Sequence, residues 1–479
     1  MRYSYLLATL LFCLACSPKG EKALELHSEA DLPGLVVATS AGNYYDQKFS
    51  QWEGVTLLRA NTDADCVQAL TQGMADVFVT DEVVLSEQAQ KRLNISLAFH
   101  GEECFDVAFA VRKGNEALLE EMNRFISASK ADGTLDAVID HWLKGTPAPE
   151  YPAGALKPGA EPLRCITSTN LEPVCYLGEG GQWMGMDADV LRRIALWSGR
   201  PFEMKFQEFP SALVALATGQ CDVVAACLYI TEERKKSVDF TLPYYQCHPG
   251  YFVRNTEGKS ALTLSERLKM NLLTEQRWKL LSDGLLETLK ITLLSILLGT
   301  VLGMGVCACR RSRRNWVRSA VRVYEYLVNG MPTLVLLLIM FYVVFASTGL
   351  NASLVAVITF ALCFASASGG IFDTSISSVP VGQTEAGLSL GFTPFKTFMG
   401  IVFPQALRKG LPLYTSECVS LLKSTSIVGY IAIQDITRAS DLIRSRTFDA
   451  LVPLLIVTVL YFVLAWLLRV LLNLFLNKK

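Results

Sequence analysis

The 479 residues leave room for two or three domains, and the formal net charge is −1. Near-neutrality, with no basic stripe interleaved with aromatics ahead of the apolar part, argues against nucleic acid as a partner. Hydrophobic residues make up 51% of the chain, and the excess gathers at the extreme N-terminus and after about residue 285, which points to membrane segments beside a soluble part.

Residues 1–16 carry Arg2, an apolar run from Tyr5 to Ala15, and then Cys16 ahead of Ser17 and Pro18. The run is too short to cross a bilayer and reads as an export signal, so the chain beyond it is expected outside the cytoplasm. From 34 to 145 the pattern is α/β: strand-like runs at 35–40, 76–81 and 107–112 alternate with helical stretches at 63–70, 117–127 and 134–143. Residues 146–162 are rich in Pro, Gly and Ala, which suits an extended linker and not a packed element. Residues 163–255 return to α/β, and 256–283 form a polar connector.

The spans are read at 286–309, 320–346, 352–376, 408–433 and 451–474, each long enough for about 30 Å of hydrocarbon. Arg310, Arg311, Arg313, Arg314, Lys396, Arg408, Lys409, Lys478 and Lys479 fall on one side if the N-terminal part is outside and the C-terminus is cytoplasmic. Between the third and fourth spans lies GQTEAGLSLGFTPFKTFMGIVFP, residues 382–404. Its Glu385-Ala386-Gly387, then Gly391, then Ile401 to Pro404 suit a short helix–turn–helix, with Gly391 permitting the turn.

Thirteen cysteines show no metal-type spacing and define no disulfide framework. The histidines, at 27, 100, 141 and 248, form no cluster with a nucleophile, so no enzyme and no metal or other cofactor is expected.

The spacing of 382–404 resembles the EAA-x3-G-x9-I-x-LP coupling loop of ABC importer permeases, with Gly382, Glu385, Ala386, Gly387, Gly391 and Pro404 at matching positions. Gly387 stands for Ala and Phe403 for Leu. The spans resemble the polar amino acid permease group through residues 381–385, 404–408, 411–412 and 422–427. Asn329-Gly330-Met331-Pro332 and Gly369–Asp373 depart from that pattern. Residues 30–145 resemble the second lobe of a family 3 amino-acid-binding protein, and 163–255 the first. The order is reversed, which leaves either one circularly permuted Venus flytrap or two incomplete tandem copies. Ala15-Cys16 resembles a lipoprotein cleavage box, with Cys16 as the lipidated residue.

The resemblance implies an α/β two-lobed binding fold followed by an all-α type I permease. It implies an amino-acid ABC importer subunit of the bacterial inner membrane. Its partners would be a separate ATPase subunit that binds ATP, a second permease copy or homologue, and the amino-acid ligand. No G-x-x-x-x-G-K-[ST] occurs in the chain, so the nucleotide motor lies elsewhere. The alternative from another class is an amino-acid-gated channel or sensor of glutamate-receptor-like architecture. An amino acid is a zwitterion, so its receptor needs a cation and an anion. By resemblance these are Arg234 for the carboxylate and Asp81 for the ammonium. Leu171 and Phe209 are the expected walls, Cys227 and Tyr229 occupy small-polar positions, and the loop from Thr39 to Asn43 offers backbone N–H groups. Glu417 is the possible pore residue, since a charge inside a span is costly and usually functional.

Overall fold

The computed structural model describes residues 24–476, except 153, 169, 171, 179–180, 208, 256–262 and 347. The export signal, Cys16 and Leu171 lie outside the described residues. In chain order the strands are β1 (Val36–Ser40), β2 (Thr56–Ala60), β3 (Val77–Asp81), β4 (Ile95–His100), β5 (Phe105–Arg112), β6 (Leu163–Thr167), β7 (Tyr176–Leu177), β8 (Trp183–Met184), β9 (Phe202–Phe206), β10 (Val223–Tyr229), β11 (Val238–Phe240), β12 (Tyr245–Cys247) and β13 (Pro249–Arg254). The helices packed on them are α1 (Tyr44–Phe49), α2 (Asp63–Thr71), α3 (Glu87–Leu93), α4 (Glu116–Ala131), α5 (Thr134–Lys144), α6 (Met186–Ser198) and α7 (Phe209–Ala217).

The strands form two main sheets, ordered β2-β1-β3-β13-β4 and β11-β5-β10-β6-β9, with β12 added beside β5. We call these lobe A and lobe B. Each has a parallel β2-β1-β3-like core crossed by one antiparallel strand, β13 in lobe A and β5 in lobe B. Each crossing strand comes from the other half of the sequence. The expected boundary at residue 145 is therefore not a lobe boundary: β5 belongs to lobe B, and β13 belongs to lobe A. Hydrophobic periodicity marks a strand but does not choose its sheet, and β5 is buried from Val107 to Val111, so its sequence shows no preferred face.

Residues 146–162 are extended, as expected, but they are packed. Arg193 of α6, 1% exposed, donates to the carbonyls of Glu150 at 2.6 Å and Pro149 at 2.8 Å, and lies over the Tyr151 ring. Its Nε pairs with Asp189 at 3.0 Å, and Asp189 also accepts from the Trp142 indole on α5. A buried carboxylate thus binds the end of α5, the start of α6 and the segment between them.

The membrane part consists of α8 (Trp278–Arg310), α9 (Asn315–Asn329), α10 (Thr333–Ile339), α11 (Ala352–Ser377), α12 (Val381–Ser389), α13 (Pro394–Thr397), α14 (Phe403–Ser424), α15 (Ile436–Thr447) and α16 (Leu451–Leu476). Among the described residues three helices are long and apolar enough to cross a membrane, or four if the bent pair 315–344 is one span. That pair, expected as one span over 320–346, bends by 104°. The break falls on Asn329-Gly330-Met331-Pro332, where proline lacks an N–H and pushes the residue before it out of helical geometry. The expected span at 408–433 is α14 followed by a 3-10 turn, and with Arg408, Lys409, Glu417 and Lys423 it falls short of the apolar test. Helices α8 and α11 pack closely through small residues: a Cβ on Gly369 would come within 2.6 Å of Val306. Asp373, the other departure on α11, pairs with Arg311 at 2.8 Å.

Candidate functional site

A cavity of about 190 Å³ opens between the C-terminal ends of β1, β3 and β10, where strand order changes in each lobe. Such crevices are where open α/β sheets bind ligands. Asn43, Asp81, Phe209, Cys227, Tyr229 and Arg234 all line it. The reading from sequence therefore selected residues that the fold gathers at one place, from both lobes.

Asp81 ends β3 and is 8% exposed. Its Oδ1 accepts the hydroxyls of Tyr45, at 2.9 Å, and Tyr229, and those two hydroxyls are themselves 2.6 Å apart. Tyr229 comes from lobe B and stacks on Phe105 at 4.3 Å, so this cluster links the lobes beside the crossover at 101–105. Burial pushes the Asp81 carboxyl up to about 7, opposed by the two tyrosine hydrogen bonds and raised further by Asp63. Arg234 opens a 3-10 turn, Arg234–Lys236, with its backbone N–H donated to Thr231. Its guanidinium donates to the Tyr229 carbonyl at 3.4 Å and sits 5.2 Å from the Phe209 ring centre. Desolvation lowers its pKa, and the nearby Asp81 partly restores it.

Cys227 sits in the irregular stretch of β10 between Val224 and Leu228, with φ +47°, a left-handed conformation that costs a non-glycine residue of order 1–3 kcal/mol. Its thiol is buried and held well above its ordinary pKa by desolvation, so it lines the cavity as a neutral group. Asn43 caps α1: its Oδ1 accepts from the Asp46 backbone at 2.8 Å, and its amide donates to Thr39. Ser40, in the expected loop from Thr39 to Asn43, also lines the cavity, and so do Tyr45, Asp63 and Ser445, which the sequence did not single out.

Ser445 comes from the membrane part. Helix α15 lies against both lobes: Arg444 pairs with Asp65 of lobe A at 2.6 Å, while Asn170 of lobe B donates to the Leu442 carbonyl at 2.9 Å and to Ser445 Oγ at 2.6 Å. Arg438 lies 3.9 Å over Phe206 and Arg446 4.0 Å over Tyr176. Gln207 and Gln220 donate to Tyr342, to the Tyr430 carbonyl and to the Phe341 carbonyl. The cavity is thus walled by two lobes and rimmed by a membrane-part helix.

Away from the lobes, α12 and α13 form the expected helix–turn–helix, with Gly391 at φ +81° in the turn. Gly387 is buried, and a Cβ there would meet Thr397 at 2.6 Å, which accounts for glycine at this position. Gly382, Glu385 and Ala386 are exposed, and Pro404 opens α14. Val381, Leu390 and Phe395 are each more than 70% exposed on this loop, an apolar face left uncovered by the chain itself. Replacing Gly387 by leucine is expected to splay α12 from α13 at a cost of about 1–3 kcal/mol. Thermal unfolding of the variant beside the parent chain checks this. Glu417 is half-buried on α14. The groove between α14 and α16 is lined instead by Lys423, Tyr461, Trp466 and Arg469 among others.

Two sheets that exchange strands around a cleft, joined to apolar helices and an exposed helix–turn–helix, define a receptor coupled to a membrane transporter. The family profile for bacterial extracellular solute-binding proteins, family 3, matches residues 163–417. The L-cystine transport system permease protein of Bacillus subtilis (strain 168) is 33% identical over 210 residues, covering 43% of this chain and 90% of that protein. The octopine transport system permease protein of Rhizobium meliloti is 34% identical over 175 residues (34% and 71%). The histidine/lysine/arginine/ornithine transport system permease protein of Escherichia coli (strain K12) is 29% identical over 199 residues (39% and 82%). A crystal structure of an amino acid ABC transporter with histidines covers 46% of this chain and 100% of its own at 28% identity, with a TM-score of 0.40.

The chain belongs to this family: it is a family 3 solute-binding protein fused to an amino-acid ABC transporter permease. It is a multi-pass protein of the inner membrane and a transport component, not an enzyme, and the ABC class supplies ATP hydrolysis through a partner subunit. The channel alternative is not favoured.

Proposed function

We propose that the chain captures an amino-acid zwitterion between its two lobes outside the membrane and passes it to a pore that its helices share with a second permease copy or homologue. Arg234 grips the ligand carboxylate with its planar fork, and Asp81 receives the ammonium. Phe209 walls the side chain. The lobes are one circularly permuted clamshell, the exchanged strands β5 and β13 being what a single receptor rejoined through 146–162 requires. Five spans, counting the bent pair and α14, put the lobes outside and the arginines after α8, the 382–404 loop and the C-terminus inside. The apolar face of that loop seats in a cleft of the ATPase subunit. No cofactor beyond the partner's ATP is needed. Cys16 is the lipidated residue of the mature chain.

The observation that carries this reading is the placement of Arg234 and Asp81 on opposite lobes of one cavity that Ser445 also lines. Reconstitution of the chain with its ATPase subunit in proteoliposomes tests it. Accumulation of a labelled amino acid that requires ATP supports the reading, whereas ATP-independent flux down a gradient sinks it.

The raised carboxyl of Asp81 makes binding pH-dependent. An ammonium group needs the carboxylate form, so with a pKa of about 7 affinity is expected to be roughly tenfold weaker at pH 6 than at pH 8. Titration calorimetry at the two values measures this, and Asp81→Asn should bind weakly with no such dependence. The sign for stability is opposite. The folded pKa lies above the unfolded one, so the empty cleft gains stability from the protonated form at low pH and loses it as pH rises through about 7.

A further inference from the structure

Charge inside the cavity is unbalanced. The charged side chains that line it are Arg234, Asp81 and Asp63, which sum to −1 when all are ionised. Asp63 follows the Thr62 cap at the start of α2, and its Oδ1 accepts the Ser40 hydroxyl at 2.6 Å. Asp81 spends its Oδ1 on the two tyrosines. Among the described residues none donates to the Oδ2 of either aspartate, and neither Oδ2 is sealed from the cavity. Arg234 is used by neither carboxylate: its guanidinium meets a neutral carbonyl and an aromatic face. The neighbouring Asp65 does not line the cavity and is paired with Arg444, although its charge also raises the Asp63 carboxyl.

A first-turn aspartate is commonly just a partner for the helix dipole. That role is met at a solvated surface. It gives no reason for the carboxylate to line the cavity that also holds Asp81, whose ionisation the charge of Asp63 makes more costly. A neutral zwitterion would satisfy Arg234 and Asp81 and leave Asp63 uncompensated as the lobes exclude water, which is expensive for a buried charge. A ligand of net charge +1 closes the balance.

Building on the receptor reading above, we propose that the cargo is a basic amino acid, with its carboxylate on Arg234, its α-ammonium on Asp81 and its second cationic nitrogen on Asp63. Asp63 is then the specificity-determining residue of the cleft, with Ser40 holding it in place.

Titration calorimetry on the full chain in detergent tests this with four probes: L-arginine, L-ornithine, L-cystine and L-glutamine. Cystine also carries two ammonium groups but has no net charge, so it separates a requirement for two cations from a requirement for a net cation. The expected result is that arginine or ornithine binds at least about tenfold tighter than glutamine and tighter than cystine. Asp63→Asn should erase that preference, weakening arginine and ornithine and tightening glutamine, whose binding then leaves no buried charge uncompensated. Tighter binding of glutamine or cystine than of both basic ligands overturns the proposal, as does a preference for basic ligands that survives in Asp63→Asn. Binding of none of the four overturns the receptor reading itself and this proposal with it, so the two failures are distinct.

Discussion

Arg234→Ala is expected to weaken amino-acid binding by about a hundredfold or more. The cavity offers one guanidinium to a ligand carboxylate, and each charge-assisted hydrogen bond contributes about 1.5–3 kcal/mol. Two bonds made by one fork therefore exceed the roughly 2.7 kcal/mol that a hundredfold change represents. The guanidinium is also preorganised. It is desolvated, supported by the Phe209 face and fixed by the Tyr229 carbonyl, so little freedom is lost when the ligand arrives. Arg234→Lys should fall between the two, keeping the charge and losing the planar fork. Calorimetry on the full chain measures both variants. Unchanged affinity in Arg234→Ala would mean that the carboxylate is held elsewhere.

The second large effect is on stability. Arg193→Ala is expected to cost about 3–5 kcal/mol, because it strands the buried Asp189 carboxylate and releases the two carbonyls of residues 149 and 150. Arg192 is the internal control. It is next in sequence and more exposed, and it reaches the Trp183 carbonyl and the Tyr151 hydroxyl without a buried charge partner. Its alanine variant is expected to stay within about 1 kcal/mol of the parent. Thermal unfolding of the two variants beside the parent protein gives the comparison, and equal losses would contradict the assignment.

Much of the cleft is legible in the sequence because motif and mechanism coincide. Arg234 sits in a T-x-x-R run and Asp81 ends an apolar strand, so their types and positions both point at a zwitterion. Tyr45 is different. It lies on a six-residue helix, where a tyrosine reads equally as core, and only the fold shows its hydroxyl donating to Asp81 at the end of β3. Asp63 looks like any first-turn acid until the cavity is seen beside it. Ser445 is the least legible, since its role depends on a helix more than two hundred residues from Arg234 coming to rest across the lobes. The spans show the same limit. Runs 286–309, 352–376 and 451–474 are apolar over most of their length and match helices, whereas the run over 320–346 hides a sharp bend that depends on one Pro-containing tetrapeptide.

The chain leaves the receptor through β13, which is held between β3 and β4 inside the sheet of lobe A. Lobe A is therefore tied to the membrane part by the backbone itself, by the Arg444–Asp65 pair and by Arg92, which donates to the Arg446 carbonyl and lies over the Phe448 ring. Among the described residues lobe B meets it through side-chain hydrogen bonds, ring contacts, the Arg446–Glu172 pair and the packing of Tyr342 on its core. Had the receptor ended after α5, the membrane part would have hung from lobe B instead. The position of the exit point thus decides which lobe is tied to the membrane part through its own sheet and which meets it through side chains.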